Sequence, residues 1–157
     1  MRPKKRRFKM TCGPTAVWRI ADILGVPANL DDVMALAKVG ESGITVNAMK
    51  SLSDSLGLPG QLVQLDSFDR VTAPAILVLS NNHAVAFNGV TEEGMFLIYH
   101  PVLGADKPAP PQEILRRWTG VAIVYNGLEY STAQMWSISL MLGTASALLI
   151  SAVLWPR

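Results

Sequence analysis

A chain of 157 residues, 50% hydrophobic and 17% charged, supports one compact domain of ordinary size with a short appendage. Its single cysteine excludes an intramolecular disulfide framework and a thiolate-rich zinc site, and it suits a reducing compartment. The net charge of +2 is unevenly spread, since Arg2, Lys4, Lys5, Arg6, Arg7 and Lys9 form a basic arm at residues 1–9 and leave the remainder net acidic.

That arm attracts phosphates, anionic headgroups or acidic partners without specificity, so no specific nucleic-acid partner is expected. It is not a secretory signal, because Pro14, Arg19 and Asp22 interrupt the stretch that follows it. The first element expected is a helix starting near Pro14, where proline sacrifices no useful N–H. Such a start leaves Cys12 at the amino end, where the partial positive charge of a helix favours thiolate over thiol. Ala16, Val17, Ile20, Ala21, Ile23 and Leu24 fit one helical face, which Gly25 and Pro27 end.

Asn29 caps a second predicted helix running to about Lys38, with Asp31 and Asp32 in its first turn. Thr45 caps a third, through Leu56, closed by Gly57 and Pro59. The hydrophobic period then changes. Residues 61–65, 75–80, 83–90 and 95–100 are short runs rich in Val, Ile, Leu and Phe, with Asn81-Asn82 and Glu92-Glu93-Gly94 as turn signals. They read as an antiparallel sheet. Residues 101–111 hold four prolines and are expected to form an extended surface loop. Pro111 opens a short helix through Trp118, and residues 121–125 make a last strand, completing an α+β domain over residues 10–126.

After a linker at 127–134 the composition changes again. No charged residue occurs at positions 135–155, a stretch that at about 1.5 Å per residue spans roughly 30 Å, the thickness of a hydrocarbon core. A single transmembrane helix is expected there, with Trp136 and Trp155 near its two interfaces. Ser139, Gly143, Ala147 and Ser151 place small residues on one face, a weak signal for close approach of two such helices.

Cys12 as a nucleophile needs a base within hydrogen-bond reach and a third group that holds the base in the right tautomer. Only His83 and His100 are available as imidazoles. They begin one predicted strand and end the next, so an antiparallel pairing brings them together. No carboxylate or second cysteine stands at a matching spacing, and neither a metal nor another cofactor is expected.

Cys12-Gly13-Pro14-Thr15-Ala16, then His83-Ala84-Val85 on a strand, then a strand end followed by Pro101 and Gly104, resembles the double-glycine leader peptidases, across roughly residues 8–125. These are papain-like cysteine peptidases that process bacteriocin precursors. The resemblance implies a papain-like fold, a peptide substrate, Cys12 as nucleophile and His83 as general base. Two positions depart from the family pattern. The usual aspartate before proline is His100, and the usual glutamine about six residues before the cysteine is Arg6, which becomes the oxyanion candidate. A neutral imidazole at position 100 still accepts the Nδ1–H of His83 but brings no negative charge.

The expected protein is a cysteine peptidase anchored in the inner membrane by its carboxy-terminal tail, with the peptidase domain cytoplasmic. Two alternatives use the same residues: a peptide-binding module without turnover, and a thiol acyltransferase or amidase.

Overall fold

Local signals place the first elements. The computed structural model describes residues 4–40 and 43–126, with side chains from residue 11 onward. Helix α2 (Leu30–Leu36) starts where the Asn29 side chain accepts from the Asp31 N–H at 2.8 Å. Helix α3 (Val46–Ser55) starts where Thr45 Oγ1 accepts from Ala48 N–H at 3.1 Å. Both caps are the ones expected, because each oxygen satisfies a backbone donor that has no partner inside its helix.

Helix α1 corrects the sequence reading. It spans Lys4–Ile23, so Pro14 lies inside it and Cys12 is not at its amino end. An internal proline removes one rung of the helical ladder and costs about 3 kcal/mol. Here Pro14 is among the most fully buried side chains, and its packing offsets the lost backbone bond.

A six-stranded antiparallel sheet follows, in the order β1-β6-β2-β3-β4-β5, built from β1 (Gln61–Gln64), β2 (Ala75–Leu79), β3 (His83–Val90), β4 (Phe96–His100), β5 (Ala105–Ala109) and β6 (Trp118–Val124). Strand β5 is the second correction. Residues 101–111 are not all loop, because Ala105–Ala109 pairs with β4 and places Pro108 opposite Leu97. Proline is tolerated there because β5 is an edge strand and one side of it needs no ladder bonds.

Two apolar layers cover the sheet. Ile76, Ala84, Ala86, Tyr99 and Ile123 meet Ala16, Val17 and Ile20 of α1 on one face. On the other, Leu77, Val85, Phe87, Phe96 and Val124 pack with Ile114 of α4 (Pro111–Leu115). Phe68 stands at the centre of an aromatic group there, 4.8 Å from the Phe96 ring and 5.2 Å from Trp118. Burial on both faces explains why β2 reads as an unbroken apolar run rather than an alternation.

An ion pair ties α1 to the edge of the sheet. Arg19 donates from Nε to Asp106 Oδ1 at 3.2 Å and from Nη2 to Oδ2 at 2.7 Å, and it also pairs with Asp22. Asn88 of β3 donates to the same Asp106 Oδ2 at 2.8 Å. The Arg19 guanidinium lies 5.5 Å from the centroid of Tyr99, which packs edge-on against Trp18. Burial pushes the Asp106 carboxyl up, but the hydrogen bonds from Arg19 and Asn88 and the charge of Arg19 together hold it below the ordinary carboxylate value.

A depressed carboxyl contributes stability that is present above its unfolded value and lost as pH falls through the folded one. Asp106→Asn is therefore expected to lower stability at neutral pH by about 1.5–3 kcal/mol, the usual worth of a charged hydrogen bond. The deficit should shrink on acidification. Urea denaturation at pH 7 and pH 3 checks this; a deficit that does not change with pH would show that the charge of Asp106 is not what matters.

Candidate active site

The β2–β3 turn brings the predicted base to the predicted nucleophile. Asn81 (φ 68°) and Asn82 (φ 53°) are both left-handed, a conformation asparagine adopts at lower cost than most residues. Leu79 pairs with His83 directly across this turn. The tight reversal carries Asn82 and His83 to the flank of α1, where the Asn82 carbonyl oxygen lies 4.0 Å from Cys12 Sγ.

Cys12 and His83 share the walls of two adjoining cavities. The larger has a volume of about 370 Å³ and runs from Cys12, Asn82 and His83 to the start of α3, where Ile44, Val46 and Met49 close it. The smaller, of about 20 Å³, lies between α1 and the sheet, where Thr15 and Ala16 face Ala84, Ala86 and Tyr99. Both Cys12 and His83 are half-buried, accessible yet flanked by apolar groups.

His100 is placed differently. It ends β4 opposite Ala105 and is exposed. Tyr99 and Pro101, on either side of it, line the smaller cavity, and His100 itself lines neither. The side chain of Arg6 lies outside the described residues; its backbone belongs to α1. Among the described residues no cluster of three His, Cys, Asp or Glu side chains is placed to hold a metal ion.

The continuous α1 also removes the helix-end argument for the thiol. In a helix that starts at Lys4, a backbone N–H at position 12 belongs to the helical ladder and is not a spare terminal donor. Any oxyanion donor must come from a side chain or another segment. Asn82 lines the cavity, and the sequence showed it only as a turn residue.

Behind the larger cavity a short polar chain anchors α3. Tyr125 donates to Ser53 Oγ at 2.7 Å, and Ser53 in turn donates to the Met49 carbonyl at 3.0 Å. Burial pushes the Tyr125 phenol up to about 12, so it stays a donor across the physiological range.

Gly13 allows α3 and the segment before it to close on α1. A Cβ there would lie 2.9 Å from both Ile44 Cγ1 and Met49 Sδ. Gly13→Ala gains about 1 kcal/mol of helix preference but incurs an overpacking cost of about 1–3 kcal/mol. A net loss of stability is expected in urea unfolding; an unchanged or raised midpoint would mean that Ile44 and Met49 yield without cost.

A model of the peptidase C39 family matches residues 5–127. Among solved structures, the peptidase domain of Streptococcus ComA, a bifunctional ABC transporter in a quorum-sensing pathway, is 19% identical with a TM-score of 0.63, over 73% of this chain and 89% of that one. A double-glycine-motif protease from an AMS/PCAT transporter, in complex with the leader peptide, is 20% identical with a TM-score of 0.64, over 72% and 81%. The amino-terminal C39-like domain of a toxin-secretion ATP-binding protein from Vibrio parahaemolyticus is 16% identical with a TM-score of 0.62, over 72% and 94%. No curated protein sequence matches the chain. The fold is thus the papain-like one of these domains, helices against an antiparallel sheet.

Proposed function

Since the chain belongs to the peptidase C39 family, we propose that it is a cysteine peptidase acting on leader-type peptides, with Cys12 as nucleophile and His83 as general base. The observation that carries this reading is that a cysteine on α1 and a histidine at the start of β3 line the same cavities. A relative in complex with a leader peptide supports a peptide as the ligand.

In this reading His83 takes the thiol proton and Cys12 Sγ adds to the scissile carbonyl carbon. The tetrahedral oxyanion collapses, the C–N bond breaks, and the amine leaves with the proton held by His83. Water deprotonated by His83 then hydrolyses the thioester and restores the thiol. Arg6 and the Asn82 amide are the proposed oxyanion donors, a role in which each group typically contributes about 2.7–4 kcal/mol. His100 is the proposed third residue, accepting the Nδ1–H of His83 from the end of β4. Acyl transfer to an acceptor other than water would use the same thioester.

Cys12→Ala should abolish cleavage of glycine-ended leader peptides, and His83→Ala should lower kcat/KM by about 10²–10⁴. His100→Asp should raise turnover and His100→Ala reduce it. Peptide affinity should survive all four changes. The exposed His100 and the continuous α1 favour one other reading, a peptide-binding module. Binding by the wild type without turnover on any library member would decide for that module.

Residues 127–134 and 135–155, with the small face of Ser139, Gly143, Ala147 and Ser151, lie outside the described residues. No helix among the described residues is long and apolar enough to cross a membrane. We propose that 135–155 spans the inner membrane with the peptidase domain on the cytoplasmic side, because its uncharged length and the tryptophans at its two ends favour it. The chain should fractionate with membranes and resist carbonate extraction. Protease added to spheroplasts should spare the domain; digestion from outside would reverse the orientation.

A further inference from the structure

Among the described residues two polar side chains are buried, Ser53 and Thr15, and they are satisfied differently. Ser53 Oγ sits between the Tyr125 hydroxyl and the Met49 carbonyl. Thr15 is only 8% exposed, yet its hydroxyl makes no hydrogen bond to any described residue. A buried hydroxyl left unpaired is destabilising, and native structures pair such groups with protein or with ordered water.

Thr15 borders the smaller cavity together with Cys12, Ala16 and His83. Cys12, Thr15 and Ala16 are spaced i, i+3 and i+4 along α1, so they share the face that lies on the sheet. Side chains three apart on a helix have Cβ atoms about 5–6 Å apart, a span that one oxygen bonded to both ends fits. The cavity volume of about 20 Å³ exceeds the roughly 10–15 Å³ that a single water requires. Ala16, Ala84 and Ala86 carry only methyl groups, which keeps this space open between helix and sheet.

We infer that one water occupies the smaller cavity, bridges the Thr15 hydroxyl to Cys12 Sγ and stabilises the thiolate, so that Thr15 is a positioning residue for the nucleophile. The use of this bridge in catalysis rests on the peptidase reading above. When His83 takes the thiol proton, negative charge appears on sulfur. The water turns one O–H toward it and accepts the Thr15 O–H in return. Hydrogen bonds to an ionised acceptor are about twice as strong as neutral ones, so the bridge favours thiolate over thiol. His83 borders the same cavity and gives the water a third polar neighbour, the number a buried water typically bonds. Side chain and water thus replace the help that a helix end at Cys12 would give, which α1 forgoes by starting at Lys4.

The experiment measures iodoacetamide alkylation of Cys12 in the full chain at pH 7 and pH 10, for wild type, Thr15→Val and Thr15→Ser. Urea unfolding of each protein checks the fold. Valine keeps the branched shape and removes the hydroxyl, whereas serine keeps the hydroxyl. Thr15→Val should react about three- to tenfold more slowly at pH 7, the worth of one hydrogen bond. The difference should fade by pH 10, where thiols ionise without help. His83 and Tyr99 are the other titratable groups among the described residues on the two cavity walls, and both are unchanged in the variants. Thr15→Ser should recover most of the wild-type rate.

Equal rates for wild type and Thr15→Val at pH 7 would overturn the bridge. So would a Thr15→Val deficit of the same size at both pH values, which would mark a packing effect, or a Thr15→Ser protein as slow as Thr15→Val. If Thr15→Val does not fold, a crystal structure of the wild-type chain decides. A water within hydrogen-bond distance of Thr15 Oγ1 and Cys12 Sγ supports the bridge, and a dry cavity overturns it. The expected rate pattern in a protein that cleaves no leader peptide would support the bridge and overturn the peptidase reading alone.

Discussion

The close seating of α1 on β3 is the constraint from which the rest of the structure follows. The contact is made by Ala16, Val17 and Ile20 against Ala84 and Ala86, all buried, and the alanines add almost no side-chain bulk between helix and sheet. Larger residues at 84 or 86 would lift α1 and carry Cys12 away from His83. The placement of Cys12 beside the start of β3 is thus a consequence of core packing: interiors at close-packed density transmit a change of even one methylene.

Around that seating the molecule is stapled at two ends. At the β5 edge, Arg19 joins α1 to Asp106 and Asn88 and also covers the ring of Tyr99, which lines the smaller cavity. At the opposite side, Tyr125 and Ser53 hold α3 against the end of β6, and α3 supplies the wall of the larger cavity. One staple is electrostatic and weakens in acid; the other is a neutral hydrogen-bonded chain. The cavity lined by Cys12 and His83 lies between them.

This arrangement asks for a particular division of labour. A helix terminus at Cys12 would supply both thiol activation and spare backbone donors, whereas a helix running on to Lys4 supplies neither. In the proposed peptidase, polarisation of a substrate carbonyl would then fall to side chains such as that of Asn82, and activation of sulfur to the His83 imidazole. A site that depends on side chains is sensitive to the turn that presents them, and the two left-handed asparagines before His83 set where that histidine stands.

The amino-acid sequence determined what depends on neighbours a few residues away. The Asn29 and Thr45 caps, the asparagine turn, the start of β3 at His83 and the four strands read from Val, Ile, Leu and Phe runs are all local, and the order of cysteine, histidine and proline carried the family. Tertiary structure alone decided the remainder. Helix α1 passes through Pro14 because burial of that ring offsets a lost backbone bond, a sum that no local pattern contains. Residues 105–109 become a strand because β4 offers an unpaired edge, although Pro108 and the prolines that flank the strand argue locally for a loop. Arg19 and Asp106 are 87 positions apart, and a lone aspartate in a proline-rich stretch gives no sign of a distant guanidinium. The cavity beside Cys12 is a gap between α1, α3 and the β2–β3 turn; such a space exists only once three separate segments have packed.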